Sequence, residues 1–206
     1  QSLNLGAVRI RLRSLKAAIE ERGEETGSAK PIEYPKAVFT EAMKRDKDYT
    51  ILAPEMSPIH FPIIEAAVQR EGYHIEIIPP IHEDIDKGLS CVNNDACYPA
   101  IITIGSLMRA LTSGKYDLSK TAVMLSQTGG MCRASNYVGF LHKALDEAGL
   151  SDIPVISLNT HGFEPQPGFH FSLSMGRRMI QAVIYGDALQ QCLYRTRPYE
   201  KEPGSA

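Results

Sequence analysis

Between Tyr49 and Leu158 short, nearly unbroken apolar runs alternate with stretches in which apolar residues recur every three or four positions. The run Tyr49 to Ala53 is broken by Pro54, and Ile59 to Arg70 follows with helical spacing until Gly72 ends it. Tyr73 to Ile78, stopped by Pro79 and Pro80, reads as a second strand. After a polar loop, Tyr98 to Ser113 is helical, with Pro99 suited to a first turn because its missing N–H would find no intrahelical partner there. Thr121 to Ser126 makes a third strand, Cys132 to Ala148 a third helix closed by Gly149, and Ile153 to Leu158 a fourth strand. A long helix from about Phe171 to Tyr194 ends before Pro198. Parallel neighbours need a crossover, and crossovers are right-handed. Strand and helix repeated four times therefore predict a doubly wound, mostly parallel sheet in a three-layer α/β/α arrangement.

Outside this alternation the pattern changes. Leu5, Val8, Leu12, Leu15 and Ile19 fall on one helical face with Arg9, Arg11, Arg13 and Lys16 between them, so residues 1–22 read as an amphipathic helix with a basic side. That helix either packs on its own domain or connects to a neighbouring domain or subunit. Residues 23–48, rich in Glu, Lys, Gly and Pro, read as a linker; 49–200 as the α/β domain; 201–206 as a tail. A chain that opens without Met fits a piece of a longer polypeptide.

Composition narrows the function classes. The 206 residues, 43% hydrophobic and 22% charged, suffice for one sizeable core and exclude a disordered or disulfide-stapled miniature chain. Lys and Arg number 22 against 24 Asp and Glu, a net charge of -2, without the basic footprint of a nucleic-acid-coating protein. No run approaches the roughly 18 apolar residues of a membrane span, and Gln1 to Glu21 is too charged for a secretory signal. A cytoplasmic protein is expected, with neither nucleic acid nor membrane as partner. A Walker Gly-x-x-x-x-Gly-Lys-Ser, a Gly-x-Gly-x-x-Gly after the first strand and a Gly-x-Ser-x-Gly elbow are all missing. ATP hydrolysis, dinucleotide binding and serine hydrolase chemistry thus lack their usual motifs.

In a doubly wound sheet every strand-to-helix loop emerges at the carboxyl edge, where ligands bind. Those loops carry Glu55, Ser57 and His60, then Cys91 to Cys97, then Gln127 to Cys132, then Asn159 to Gly162 with His161. Three of the four cysteines collect there. Cys97 precedes one predicted helix and Cys132 opens the next, and a helix amino end favours a thiolate, with Arg133 adding positive charge nearby. About one βαβ unit separates the two, so neighbouring loops can bring both sulfurs to one soft metal. Gly129 and Gly130 let the backbone turn sharply beside a bulky ligand. Cys-x-x-Cys pairs are missing, and cysteine often simply packs, so metal ligation and a buried-thiol role both stay open. His60, His161 and Glu55 are ligand or proton-donor candidates that equally serve as hydrogen-bonding scaffold. Cys192, in step with Tyr185, Ala188 and Leu189, is expected in the core.

The strings Ile51-Leu52-Ala53-Pro54-Glu55-Met56-Ser57-Pro58-Ile59-His60-Phe61, Val92-Asn93-Asn94-Asp95-Ala96-Cys97-Tyr98-Pro99-Ala100 and Gln127-Thr128-Gly129-Gly130-Met131-Cys132-Arg133-Ala134-Ser135-Asn136-Tyr137 carry a resemblance. The chain resembles the 2-hydroxyacyl-CoA dehydratase superfamily, and within it the acyl-CoA dehydratase activase-related region that accompanies ATPase activator modules. The resemblance extends over nearly the whole chain, including Tyr194-Arg195-Thr196-Arg197-Pro198-Tyr199-Glu200. It implies an oxygen-sensitive iron-sulfur protein of anaerobic metabolism, with a 4Fe-4S or double-cubane cluster held by cysteine thiolates. An ATP-driven activator feeds such clusters single electrons for reduction or dehydration of a CoA thioester. Carried over, Cys97 and Cys132 match ligand positions, and Cys91 is a third candidate at a place where the family carries other residues. Gly129 and Gly130 would cradle the cluster, Arg133 and Asn136 support it, and Asp95 and His60 stand beside it. The implied partners are the activator and acyl-CoA, and a second chain or domain, a further copy of this one included, can complete the ligand set. The activator's own nucleotide and cluster motifs are missing, and the chain is shorter than a dehydratase subunit with its second α/β domain. Complete dehydratase catalysis is therefore not expected of this chain alone. A docking module of the same fold without a cluster, or a structural zinc site, are the alternatives.

Overall fold

Four apolar segments pair into one all-parallel sheet: β1 (Thr50–Pro54), β2 (Ile75–Ile78), β3 (Thr121–Ser126) and β4 (Val155–Leu158), in the order β2-β1-β3-β4. The structure is a computed structural model and describes residues 5–22, 36–93, 96–127, 132–158 and 166–206. Leu52 is in register with Glu76 on one side and Val123 on the other, and Val123 with Val155. Side chains alternate across the pleat, and both faces of the central strands β1 and β3 are buried, which is why these two read as nearly continuous apolar runs, whereas the edge strand β2 carries the part-exposed Glu76. Ile51, Ala53, Ala122, Met124 and Ile156 join one core with α3 (His60–Gln69) and α7 (Leu173–Thr196). Leu52, Val123, Leu125 and Val155 join the other with α5 (Tyr98–Thr112) and α6 (Tyr137–Glu147). Each fully buried Leu or Ile in these layers contributes roughly 1.5–3 kcal/mol through removal from water. The doubly wound three-layer α/β/α fold is the one expected.

The chain divides into two compact units, residues 1–33 and 34–206. In the first, α1 (Leu5–Arg22) is the predicted N-terminal helix. In the second, the sheet domain takes in more chain than its strand pattern marks. Phe39, 1% exposed, and Tyr49 pack edge to face in the α3/α7 core, and α2 (Glu41–Arg45) lies between them, capped by Thr40. Part of the predicted linker thus belongs to the sheet domain.

The polar loop expected between β2 and α5 contains a further helix, α4 (Glu83–Cys91). It packs through small and polar residues. A Cβ at Gly105 would collide with the Asp84 carbonyl, and one at Gly88 with the Ile101 carbonyl, so the backbones of α4 and α5 touch. Asp84 is fully buried and accepts from the Arg109 guanidinium, from Ser106 Oγ at 2.8 Å and from the Ile81 N–H at 2.8 Å. Burial pushes its carboxyl up, but those three donors together outweigh burial and hold it below the ordinary aspartate value.

Candidate functional site

The strand order puts the topological switch between β1 and β3. From β1 the chain crosses through α3 on one face, and from β3 through α6 on the other, so the two loops diverge and leave a crevice at the carboxyl edge. Met56 Sδ and Ser126 Oγ, 3.9 Å apart, meet across it.

The α6 side of the crevice carries the thiols. Cys97 is the N-cap of α5, with extended backbone at φ -69° and ψ 149°. Cys132 plays the same part for a short 3-10 turn, Arg133–Asn136, that leads into α6. Tyr137 opens α6, is buried, and places Oη 3.1 Å from Cys97 Sγ. Burial raises the Tyr137 phenol above its ordinary value. The hydrogen bond with Cys97, and the charges of Cys97 and Cys132 in their thiolate forms, raise it further. The Cys97 sulfur, from the crossover before β3, is thus tied to the first residue of the helix that Cys132 leads into.

Gln127 braces this segment: its amide donates to the Ser135 carbonyl at 2.6 Å and its side-chain oxygen accepts from Ser157 of β4 at 3.1 Å. Ser135 Oγ in turn donates to the Cys132 carbonyl at 2.7 Å.

The remaining predicted residues fall as follows. Cys91 ends α4, half-buried against the α5/α6 core, with Sγ 3.6 Å from Ser90 Oγ. Asn136 is exposed at the start of α6. Asp95, Gly129, Gly130, His161 and the side chain of Arg133 lie outside the described residues. All four cysteines are thiols rather than disulfides. Among the described residues no group of three or more His, Cys, Asp or Glu side chains is arranged to hold a metal ion. Soft sulfurs fit an iron-sulfur group in kind, and the described residues supply the thiols of Cys97 and Cys132.

Cys192 is not in the core, contrary to expectation. It is exposed on α7, whose last buried position is Gly186: Leu189, seven residues after Ala182 and so on the same face, is already exposed, which means that the helix has run past the core before it reaches Cys192.

His60 opens α3 with both ring nitrogens engaged. Nδ1 lies 2.8 Å from Ser57 Oγ, and Nε2 lies 3.1 Å from Asp187 Oδ1 on α7. Sequence reasoning passes over Tyr137, Ser57 as a partner, and Asp187. Ser57 and His60 stand three apart at a strand-to-helix turn, which is a usable signal, but Asp187 is 127 residues from His60 and no local pattern announces it.

The fold and this edge define a doubly wound α/β protein with free thiols at the amino ends of two helical segments. The sequence matches no protein-family model and no curated protein. No helix among the described residues is long and apolar enough to cross a membrane.

Proposed function

We propose that this chain is a cytoplasmic iron-sulfur-binding module related to the 2-hydroxyacyl-CoA dehydratases and their activases, acting in ATP-driven low-potential electron transfer toward a CoA thioester. Cys97 and Cys132 are the ligands this chain brings, and Cys91 is the candidate third. The observation that carries the reading is that Cys97 and Cys132 each stand at the amino end of a helical segment following a crossover, with the Cys97 sulfur 3.1 Å from the hydroxyl of Tyr137, which opens the segment after Cys132. When bound, a 4Fe-4S cluster supplies one-electron chemistry at low potential. The chain's own residues prepare for an anionic sulfur. The amino end of the 15-residue α5 places its positive partial charge at Cys97. The Tyr137 hydroxyl, protonated at neutral pH like any phenol, stands 3.1 Å from that sulfur and donates to it when the sulfur is a thiolate. Gln127 fixes the segment that presents Cys132.

The test is anaerobic reconstitution with iron and sulfide. The wild-type chain is expected to retain both, Cys97→Ala and Cys132→Ala to lose them, and Cys192→Ala to keep them. A wild-type chain that takes up neither, or cysteine variants that load fully, would overturn the reading.

The exposed apolar residues of α7, Leu173, Ile180, Ile184 and Tyr194 among them, favour a second reading, a docking module without a cluster. Under it, pull-down with an ATPase activator survives the Cys97 and Cys132 substitutions.

A further inference from the structure

We propose that Ser57, His60 and Asp187 form a nucleophilic relay at the mouth of an apolar cavity, and that this site cleaves esters of hydrocarbon carboxylic acids. The inference is independent of the iron-sulfur reading and uses none of the cysteines.

The cavity, about 200 Å³, lies between the sheet and the α3/α7 layer. Met56, Phe61, Ile64, Met124, Met175 and Met179 are among its walls, so four of the chain's seven methionines converge on it. Methionine walls adapt to irregular apolar occupants. Since dry aliphatic cavities of about 150 Å³ admit benzene, this one accommodates a short hydrocarbon chain. Met56, 44% exposed, marks where it opens to solvent. Ser57 is the next residue along the chain, and the wall residue Phe61 adjoins His60.

Ser57 occupies the strand-to-helix turn between β1 and α3, formed here by Glu55-Met56-Ser57-Pro58-Ile59 rather than by a Gly-x-Ser-x-Gly string. An Asp187 carboxylate only accepts hydrogen bonds, so it selects the tautomer with the proton on His60 Nε2 and leaves the Nδ1 lone pair facing the Ser57 hydroxyl at 2.8 Å. The two ring nitrogens are used in the reverse of the order found in chymotrypsin-like proteases, with the same roles. Gly186 supplies an independent sign that the ring position is built. A Cβ there would collide with the imidazole and stand 2.8 Å from Nε2, so only glycine lets the ring lie against the α7 backbone. The His60 side chain is accordingly 14% exposed while Asp187 is 69% exposed.

In the reaction, Ser57 Oγ attacks the ester carbonyl carbon and its proton passes to His60 Nδ1. The carbon-oxygen bond to the alcohol breaks, and the departing alcohol takes that proton. Water then adds to the acyl-Ser57 carbonyl, giving a proton to His60. The acid leaves and Ser57 recovers its proton from His60. The hydrocarbon part of the acyl group rests in the cavity. Ser57 and His60 are the catalytic residues, and Asp187 is a positioning residue acting through His60.

The experiment treats the full chain with an alkyl fluorophosphonate and follows p-nitrophenyl hexanoate hydrolysis. Expected is phosphonylation of Ser57, abolished in Ser57→Ala and slowed about 100-fold or more in His60→Ala, the range for loss of a general base. Asp187→Asn is expected to lower kcat with KM little changed, and Met179→Trp, which fills the cavity, to shift preference from the hexanoate to the acetate ester. Thermal unfolding verifies that each variant is folded, and Asp187, being exposed, keeps one arm free of any folding defect. A folded wild-type chain that leaves Ser57 unlabelled, or labelling as fast in folded His60→Ala as in wild type, would overturn the proposal.

Discussion

The hydroxyl of Tyr137 lies 3.1 Å from the sulfur of Cys97, 40 residues earlier in the chain, and that contact ties the start of α6 to the start of α5. Burial first, then the Cys97 hydrogen bond, then the charges of Cys97 and Cys132 raise the phenol above 10.0. Cys97→Ala is therefore expected to lower the Tyr137 pKa while leaving it above the ordinary value, since burial remains. Nuclear magnetic resonance of carbon-labelled tyrosine, titrated with pH, reads this directly; an unchanged Tyr137 titration in the variant would remove the pair from the account. A phenol whose folded pKa is raised contributes stability in full below its unfolded value of about 10. That contribution is lost as pH climbs through the folded value.

Thiol accessibility gives a second prediction. Cys132 and Cys192 are exposed, and Cys91 and Cys97 are half-buried. Iodoacetamide applied to the native apoprotein is expected to modify Cys132 and Cys192 before the other two. After anaerobic treatment with iron and sulfide, Cys132 is expected to be protected and Cys192 to react as before, with mass spectrometry of the peptides as the readout. Equal protection of both would point to aggregation rather than ligation.

The parallel sheet is legible because its central strands are apolar runs buried on both faces, and Pro ends two of the four strands, β1 at Pro54 and β2 before Pro79. The segment from Glu83 to Cys91 is not, because α4 buries Asp84 and Gly88 rather than a stripe of aliphatic residues, and a packing face made of an acid and a glycine has no hydrophobic period. Phe39 is hidden in the same way: one buried ring among lysines and prolines carries no pattern. Cys192 misleads for the opposite reason. The spacing of Tyr185, Ala188 and Leu189 is helical and apolar, yet those side chains are exposed, because α7 is buried only as far as Gly186 and its remaining turns run beyond the core. At the candidate site, the cysteines stand out by type and by their loops, whereas Tyr137, Ser57 and Asp187 acquire meaning only from contacts between distant elements.

Asp84 and Arg109 set an acid limit on stability. Because the folded pKa of Asp84 is depressed, its contribution is present above its unfolded value of about 3.9. It is lost as pH falls through the lower folded value. Urea unfolding followed from neutral pH downward is expected to show stability dropping below about pH 4, with a smaller drop in Asp84→Asn. Arg109→Ala leaves a carboxylate with no access to solvent and without its cation, and is expected to cost about 3 kcal/mol at neutral pH. Wild-type stability in Arg109→Ala would mean that Ser106 and the Ile81 N–H satisfy the carboxylate alone.

Gly105 and Gly88 test how closely α4 and α5 must approach. In an isolated helix, glycine to alanine gains about 0.8–1 kcal/mol in propensity. Here a Cβ at Gly105 would strike the Asp84 carbonyl and stand 2.9 Å from the Gly88 nitrogen, and one at Gly88 would strike the Ile101 carbonyl. These are backbone atoms that cannot rotate aside, so the helices themselves must part. Overpacking of this kind typically costs about 1–3 kcal/mol, and parting also loosens the Asp84 contacts to Ser106 and Arg109 that depend on the same approach. Gly105→Ala and Gly88→Ala are each expected to be net destabilising in urea unfolding. The double variant is expected to cost less than the sum, because helices already separated by one methyl accommodate the second without a further shift. Strict additivity would show that the two glycines relieve separate contacts.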